Sequence, residues 1–308
     1  MLGVSVVVPA TDRPVTLPAC LASIKRAAGS DEVVVVDGPP ELSASAARNT
    51  GARRAAGDVL VFVDADVEIH PDALERIRAT FSARPGLTAV FGSYDDAPSA
   101  GGTVAAFRNL LHHHVHQGAG GPAETFWSGL GAVRRDAFLA AGGFDSDRFP
   151  HPSVEDIDLG VRLAANGAQI LLDPTIQGTH LKAWTLRSMV FTDFARRGVP
   201  WVALQLRSGR VSTALNLGWR HRLSAGACTL GTLAVLARRP RAAVASVLVL
   251  LGLNRGFYAL LVRRRGPGEA VLGVGLHALH HLAAAASVPA GVLMHARERR
   301  SSAIRGDG

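Results

Sequence analysis

The stretch VLVFVDAD, residues 59–66, places two aspartates directly after five consecutive apolar residues. A short, continuous apolar run that ends in polar residues is typical of a buried strand in a parallel sheet. Ligands of such sheets bind at the carboxyl ends of the strands. The stretch therefore predicts a buried strand with Asp64 and Asp66 at the ligand-binding edge of an α/β fold.

Strand and helix patterns alternate on both sides of this stretch. Runs of β-branched residues predict strands, and apolar residues at helical spacing predict helices. The alternation predicts a mostly parallel sheet flanked by helices, followed by an apolar helical region. The predicted strands are 4–9, 32–37, 59–63, 87–91 and 170–172. A first helix is predicted to start near residue 17, and further helices are predicted at 43–56, 71–81, 104–117, 154–166 and 184–196.

The composition indicates a folded chain with a part that contacts a membrane. The chain has 308 residues, enough for one large α/β domain and an appendage. Hydrophobic residues make up 48% and the mean hydropathy is +0.19, which excludes a disordered chain. Two distant cysteines, Cys20 and Cys228, exclude a disulfide scaffold and a thiolate zinc site. No basic segment precedes the strand 4–9, so we expect the chain to start in the cytoplasm.

The positive charge is concentrated in the last third of the chain. Residues 1–204 hold 18 Lys and Arg against 22 Asp and Glu, a net of −4, whereas residues 205–308 hold 15 Arg against 3 acids, a net of +12. A segment that is both basic and apolar favours a membrane surface with anionic lipids as its partner. Nucleic acid is not expected as a partner, because aromatic residues total only 6% and no known reader motif is present.

The change in composition predicts two domains, 1–206 and 207–308. Three apolar segments in the second domain are candidate transmembrane helices: 223–237, 242–262 and 270–296. A bilayer span needs about 20 apolar residues. The first segment is short and the other two contain polar residues, so interfacial helices or a soluble helical cap are alternatives. Arginines flank every segment on both sides, and the charge distribution therefore sets no orientation.

Two acidic clusters carry the candidate chemistry. Asp64 and Asp66 offer hard oxygen ligands that suit Mg²⁺ or Mn²⁺, although an acidic loop after a strand is common. Glu155 and Asp156 open a predicted helix, where acids complement the helix dipole. A carboxylate at that position is also a candidate general base for an acceptor hydroxyl.

Two groups of histidines have more than one interpretation. His112 and His116 are one helical turn apart and, with the neighbouring His113 and His114, could bind a transition metal. We favour the alternative of a polar helix on the acceptor side. The second group lies in the apolar third, where it could line a polar groove or lie at the lipid headgroups; it comprises His277, His280 and His281.

Taken together, the motifs resemble family 2 glycosyltransferases of the GT-A fold. The matching stretches follow the family's order over residues 3–204: VVVPATDRPVTLPACLASI (6–24), VVVVDG (33–38), ARNTGARRAAGDVLVFVDAD (47–66), FWSGLGAVRRDAFLAAGGFD (126–145), VEDIDLGVRLAANG (154–167) and GTHLKAW (178–184). The family usually has Asp-Asp-Gly-Ser after the second strand. This chain has Asp37-Gly38-Pro39-Pro40 there, so one acid is missing.

The resemblance implies a donor site and a metal site for Mg²⁺ or Mn²⁺. The implied donor-binding residues are Pro9, Asp12, Asp37, Arg48 and Asp64, together with Arg196, Arg197 and Trp201, which look like a variant of the family's Q/R-x-x-R-W element. The implied metal residues are Asp66, Asp64 and His180, with Asp66 as the more direct ligand.

The resemblance also implies the reaction. Asp156 matches the family's general base, and Glu155 would support it or bind the acceptor. The implied enzyme is an inverting glycosyltransferase at the cytoplasmic face of the membrane. It would transfer a sugar from a nucleotide-diphosphate sugar to a lipid-linked or membrane-proximal acceptor.

Three other functions fit the sequence less well. A nucleotidyltransferase would need a Gly-rich, Lys-bearing phosphate loop near the first strand, and PATDRP (9–14) is not such a loop. A dinucleotide dehydrogenase is disfavoured because no G-x-G-x-x-G motif follows that strand. A membrane adaptor that binds nucleotide sugars without catalysis would not need the intact acids at 64, 66, 155 and 156.

Overall fold

The computed structural model of the chain describes residues 2–29, 31–209, 215 and 218–306. Within these residues the strands are β1 (Val4–Pro9), β2 (Glu32–Val36), β3 (Val59–Val63), β4 (Val67–Ile69), β5 (Leu87–Tyr94), β6 (Gly121–Ala123), β7 (Leu130–Arg134) and β8 (Gln169–His180). The helices are α1 (Leu17–Ala28), α2 (Ala44–Arg54), α3 (Ala73–Ala83), α4 (Thr103–Gln117), α5 (Arg135–Ala140), α6 (Glu155–Ala165), α7 (Leu186–Phe191), α8 (Val199–Ser208), α9 (Trp219–Leu236), α10 (Pro240–Leu253) and α11 (Arg255–Gly306). A π-helical segment, Thr192–Gly198, joins α7 to α8.

All eight strands belong to one sheet, with the order β2-β1-β3-β7-β5-β8-β4 and with β6 paired to β8. Strands β1, β2, β3, β5 and β8 run in one direction, because β7 is antiparallel to both β3 and β5. Strands β4 and β6 are antiparallel to β8. The predicted α/β fold with a mostly parallel sheet is therefore confirmed, and it contains three reversed strands that the sequence did not predict.

The central reversed strand, β7, has little of the usual strand pattern. Its sequence is LGAVR, and glycine inside a strand weakens both its propensity and its packing. The fold requires this glycine, since a Cβ on Gly131 would lie 2.2 Å from the carbonyl oxygen of Trp127. Close backbone approach therefore explains why the pattern failed to predict the strand.

The core of the sheet matches the apolar runs in the sequence. Every residue of β3 is buried, and Val6, Val7 and Val8 of β1 are fully buried. Helix α1 packs Cys20 and Ile24 into the same hydrophobic cluster. Burial of this amount of apolar surface holds the carboxyl ends of β1 and β3 in fixed positions.

The chain forms two compact units. The first consists of Met1–Gly101 and His112–Ala183, and the second consists of Gly102–Leu111 and Trp184–Gly308. Helix α4 contributes its first part to the second unit and its last part to the first.

The apolar helices of the second unit differ in their bounds from the predicted segments. The segment 242–262 is divided at Asn254, where α10 ends and α11 begins. The buried Asn254 amide donates to the carbonyl oxygen of Leu250 and to the hydroxyl of Ser224, both at 2.9 Å, which ends α10. Helix α11 changes direction at Gly266, whose φ of 81° is outside the helical region. Among the described helices, only Arg255–Arg300 is long and apolar enough to cross a bilayer.

The second unit contains a buried polar network. Asp193 accepts a hydrogen bond from Arg108 at 2.6 Å and lies 2.8 Å from the Nδ1 atom of His280. His277 bonds through Nδ1 to the Tyr258 hydroxyl at 2.9 Å. These two histidines of the apolar third therefore pair with other buried side chains inside the unit.

We expect Gly92→Ala to lower the free energy of unfolding by about 1–3 kcal/mol, because β5 and β8 approach too closely for a side chain there. A Cβ on Gly92 would lie 2.1 Å from the carbonyl oxygen of Ile176. Urea unfolding of both proteins measures the difference. Gly86→Ala is the matched control, since its Cβ would meet the Gln169 side chain at an ordinary 3.7 Å. Equal stability of the two variants would contradict the close approach.

Candidate active site

The carboxyl ends of three neighbouring strands form one edge of the sheet. Pro9 at the end of β1 pairs with Val36 at the end of β2, and β1 pairs on its other side with β3. Asp37 follows β2 and is exposed, and its carbonyl oxygen lies 3.5 Å from the guanidinium Nε of Arg13. The structure thus brings Pro9, the exposed Asp12 beside Arg13, and Asp37 to the same edge.

The sequence Asp64-Ala65-Asp66 forms a tight turn after β3. The backbone N–H of Val67 donates to the carbonyl oxygen of Asp64 at 2.9 Å. The turn is fixed on both sides, because the Asp64 N–H donates to the Gly129 carbonyl at 3.1 Å and the Asp66 carbonyl accepts from Leu181 at 2.8 Å. Both aspartates are partly exposed, so both can meet a ligand.

Arg48 on α2 connects the two acidic clusters. Its Nη2 atom lies 2.6 Å from Oδ1 of Asp64, and its Nη1 atom lies 3.2 Å from Oε1 of Glu155. Arg48 is 5% exposed and Glu155 is 4% exposed. Burial disfavours the guanidinium charge, but the two carboxylates outweigh it and raise the pKa of Arg48. Removing one partner of such a buried ion pair is strongly destabilising.

The negative charge of Asp156 is balanced less well by nearby positive charge than the charges of Asp64 and Glu155 are. Its Oδ2 atom accepts from the backbone N–H of Ser128 at 3.2 Å, and its Oδ1 atom accepts from Ile157 at 2.8 Å. Burial, followed by the charge of Glu155, raises the pKa of Asp156 to about 6, against partial opposition from Ser128 and Arg48. A carboxylate with a pKa near the working pH is suited to accept a proton from a hydroxyl.

Asp66 lies beside His180, the last residue of β8. The Oδ2 atom of Asp66 is 3.7 Å from the Nε2 atom of His180. Burial opposes the charge of Asp66, but His180 and Lys182 outweigh it and lower the pKa of the carboxyl. The ring of His180 stacks on Tyr94, with centroids 4.2 Å apart and planes 13° apart, and this contact orients the imidazole.

The predicted metal residues do not form a complete protein cage. Asp64 bonds to Arg48, whereas Asp66 faces His180. Within the described ranges, no group of three His, Cys, Asp or Glu side chains is arranged to hold a metal ion. Mg²⁺ is usually bound by one or two carboxylates plus substrate phosphates. Asp66 and His180 would therefore fit a cation only if its remaining ligands came from outside the protein.

The histidines of α4 pack against aromatic rings. His112 lies between Tyr94 and Trp127, with ring centroids 4.3 and 4.5 Å away, and its ring lies 3.8 Å from that of His116. His116 and His113 bond through Nδ1 to the carbonyl oxygens of Gly92 and Tyr94, each at 2.9 Å. These contacts fix the end of β5 that carries Tyr94.

Three predicted donor-binding residues lie in the second unit. Arg196 and Arg197 belong to the π-helical segment and Trp201 belongs to α8. The guanidinium of Arg196 lies 5.5 Å from the centre of the Phe191 ring. Their donor-binding role stays a prediction.

Sequence reasoning did not identify Ser128 and Tyr94 as parts of the site. Ser128 donates to Asp156, and Tyr94 supports His180. A signal for Ser128 was present in the stretch FWSGLG, whose glycines indicate a close backbone approach. Tyr94 ends a strand predicted to stop at residue 91, and no local pattern marks it.

The mixed sheet with its flanking helices is that of the GT-A fold. The solved structure of the mannosyltransferase PcManGT from Pyrobaculum calidifontis, in complex with GDP-Man and Mn²⁺, has this fold. It is 16% identical, with a TM-score of 0.52 over 93% of this chain and 87% of that chain.

Residues 39–139, or 101 of the 308 residues, match the model of glycosyl transferase family 2. This match confirms the resemblance inferred from the sequence motifs. Comparison with curated protein sequences gives no match.

Two further solved structures are similar over part of the chain. Glucosyl-3-phosphoglycerate synthase from Mycobacterium tuberculosis, in complex with phosphoglyceric acid, is 18% identical, with a TM-score of 0.42 over 69% of this chain and 82% of that chain. GalNAc-T7 with UDP, GalNAc and Mn²⁺ is 16% identical, with a TM-score of 0.47 over 74% of this chain and 51% of that chain.

We expect Asp156→Asn to raise the free energy of unfolding at pH 7 by about 2 kcal/mol, because the folded protein no longer holds this desolvated charge. The pKa of Asp156 is raised from 3.8 to about 6 on folding. Between these pH values the folded state keeps a proton that the unfolded state has lost, so wild-type stability falls as the pH rises. The advantage of the variant should be small at pH 4 and complete at pH 7. Chemical unfolding at both pH values measures it.

Glu155→Gln is the matched comparison on the neighbouring residue. It leaves Arg48 with one carboxylate fewer, so it should lower stability at pH 7 by about 2 kcal/mol. If Asp156→Asn destabilises the protein as much as Glu155→Gln does, the carboxylate of Asp156 is a structural partner and the raised pKa is wrong.

Proposed function

We propose that the chain is an inverting glycosyltransferase that moves a sugar from a nucleotide-diphosphate sugar to a hydroxyl of a lipid-linked or membrane-proximal acceptor. The observation that carries the proposal is the bridge that Arg48 makes between Asp64 and Glu155. This bridge links the acidic turn suited to a metal-bound diphosphate with the helix start that carries Asp156. The match to glycosyl transferase family 2 supports the same activity.

In this proposal the donor binds at the carboxyl ends of the first three strands. Pro9, Asp12 and Asp37 contact the nucleoside, while Arg48 and Asp64 lie near the diphosphate. Asp66 and His180 would hold Mg²⁺ or Mn²⁺. Such a cation, when bound with the donor, neutralises negative charge on the diphosphate.

Asp156 acts as the general base. Its carboxylate takes the proton of the acceptor hydroxyl, and the oxygen then attacks the anomeric carbon from the face opposite the diphosphate. The nucleoside diphosphate leaves, and the configuration inverts in one displacement. Ser128 holds the carboxylate of Asp156 in position by its backbone N–H. Only one carboxylate is needed, because the displacement forms no covalent intermediate with the protein.

Arg196, Arg197 and Trp201 are assigned to donor binding by the family resemblance. A guanidinium forms charge-assisted hydrogen bonds to phosphate oxygens, so either arginine would stabilise the leaving diphosphate. We assign this role as part of the same proposal.

The proposal places catalysis in residues 1–206 and membrane association in residues 207–308. The second segment has a net charge of +12, and its helix Arg255–Arg300 is long and apolar enough to cross a bilayer. Nucleotide sugars are available in the cytoplasm, so the active site would face that side. An acceptor held at the membrane would then meet the donor at the cytoplasmic surface.

We expect Asp156→Asn to reduce sugar transfer by a hundredfold or more and to leave donor affinity near the wild-type value, because the variant lacks only the proton acceptor. In wild type, kcat/KM should fall as the pH drops below about 6, where Asp156 becomes protonated. Transfer with a panel of radiolabelled nucleotide sugars and a membrane extract as acceptor measures the activity, and calorimetry measures donor affinity.

Asp158→Asn is the control for this prediction, because Asp158 lies in the same helical turn and bonds to Arg162 at 2.8 Å. It should lose stability and keep its turnover. If Asp156→Asn keeps wild-type turnover, Asp156 is not the base. If wild type binds donors but transfers no sugar, the chain is a nucleotide-sugar-binding protein.

We expect Mn²⁺ to bind at least tenfold more tightly in the presence of the matching nucleoside diphosphate than alone, because Asp66 and His180 supply too few ligands by themselves. Asp66→Ala should remove this enhancement. Calorimetric titration of Mn²⁺ with UDP, with GDP and without nucleotide measures it. Asp72→Ala is the control, since this residue has a half-exposed side chain that pairs only with Arg76 among the ion pairs of the described residues. Tight Mn²⁺ binding without any nucleotide would reveal a metal site made by the protein alone.

A further inference from the structure

Exposed apolar side chains are concentrated on the hairpin formed by α9 and α10. Of the 22 large apolar side chains that are exposed in the described residues, 10 lie on these two helices. On α9 the residues Leu223, Leu230 and Leu233 are spaced by seven and three, and therefore share one face. On α10 the residues Val244 and Leu248 are one turn apart. Exposed apolar side chains concentrated in this way are typical of an interaction site.

The two helices form a single hairpin. Gly231 of α9 allows close packing, since a Cβ on it would lie 3.0 Å from the Cβ atom of Ser246 on α10. At the end away from the turn, a hydrogen bond of 2.9 Å from Asn254, which follows α10, to Ser224 of α9 joins the two helices. The apolar faces are therefore presented by one packed element.

The hairpin is too short to cross a bilayer. The apolar part of α9, residues 223–236, has 14 residues and a length of about 21 Å, and residues 242–253 of α10 have 12 residues and a length of about 18 Å. The hydrocarbon core is about 30 Å thick. A hairpin inserted end-on would leave Arg238, Arg239 and Arg241 at its tip within the core, which is costly. The hairpin therefore fits a membrane only when it lies along the surface.

The charge of the hairpin favours one partner. Residues 219–254 contain five arginines and no aspartate or glutamate. A second copy of this face would bring like charges together, whereas anionic lipid headgroups complement them. Trp219, at the start of α9, is 68% exposed and lies beneath the guanidinium of Arg222 at 5.3 Å. Exposed tryptophan next to arginine is typical of the membrane–water interface.

We infer that the α9–α10 hairpin lies in the plane of an anionic membrane leaflet, with its apolar faces at the boundary of the acyl chains and its arginines at the lipid phosphates. The inference rests on the membrane association in the proposed function and is independent of catalysis. It assigns this hairpin to the surface of one leaflet, in contrast to the two transmembrane spans considered from the sequence for residues 223–237 and 242–262.

The depth of the hairpin tests the inference. The full chain, with Cys20 and Cys228 replaced by alanine, is reconstituted in vesicles of phosphatidylcholine and phosphatidylglycerol. Single fluorophores are attached at Leu233→Cys or Leu248→Cys and quenched by lipids that carry spin labels at known depths. Both fluorophores should lie at the same shallow depth. Unquenched fluorophores would overturn the inference and indicate a protein partner or a second copy.

The side on which the turn lies tests it independently. A membrane-impermeant thiol reagent should modify Arg239→Cys from the same side as Arg53→Cys, which reports the exposed end of α2. Modification of Arg239→Cys only from the opposite side would mean that the hairpin crosses the bilayer, and the inference would be wrong.

The attraction between the arginines and anionic lipids is tested with a triple variant, Arg238→Gln, Arg239→Gln and Arg241→Gln. Each arginine near an anionic surface contributes a factor of about five, so the three together should weaken the association of the hairpin with phosphatidylglycerol vesicles by at least tenfold. Association with phosphatidylcholine alone should hardly change. Arg26→Gln, Arg53→Gln and Arg54→Gln together remove the same charge from the first unit and should have no effect. Equal effects of the two triple variants would overturn the lipid assignment.

The same vesicles separate this inference from the proposed function. Sugar transfer from the panel of nucleotide sugars to the membrane-extract acceptor is measured alongside. Shallow, quenched fluorophores in a chain without donor turnover would leave the hairpin assignment intact and refute the enzyme. The reverse result would refute the hairpin assignment alone.

Discussion

The candidate site depends on one buried guanidinium. Arg48 lies inside the first unit, and its desolvated charge is tolerated only because Asp64 and Glu155 both contact it. Asp64 follows β3 and Glu155 begins α6, two elements that are separated by about ninety residues in the sequence. The ion pairs therefore fix the distance between the acidic turn and the helix that carries Asp156. Loss of either pair would both destabilise the fold and separate the two clusters.

The position of Arg48 also gives the four carboxylates of the site different environments. Asp64 and Glu155 share the single charge of Arg48, whereas Asp66 lies beside His180, which together with Lys182 lowers its pKa. Asp156 accepts hydrogen bonds from Ser128 and Ile157 and lies farther from the charge of Arg48, and burial raises its pKa. A carboxylate that is held in place but poorly compensated is reactive toward a proton. The acids that look equivalent in the sequence thus acquire different properties from their partners.

The sequence predicted those strands and helices whose pattern is complete within a short segment. The buried strands β1, β2 and β3 and the acidic residues after β3 follow from continuous apolar runs, and the helix start at Glu155 follows from its acids. The reversed strands β4, β6 and β7 were missed, since they have three to five residues and take their pairing from distant strands. The pairing of Arg48 with Glu155 spans 107 residues, and no periodicity reports such a contact. The stacking of His180 on Tyr94 was hidden for the same reason.

The second part of the chain carries more positive charge than the acidic residues of the chain balance. Residues 205–308 hold fifteen arginines and three acids, and two of these acids are already used: Glu269 pairs with Arg265 and Glu298 pairs with Arg207. The excess of −4 in residues 1–204 could offset only a third of the net +12 that remains. A folded domain with such an excess repels itself, and close packing of apolar helices increases the repulsion. In the proposed function, phosphate groups at a membrane surface would supply this negative charge at the place where the apolar side chains leave water. One environment would then account for both features of the sequence.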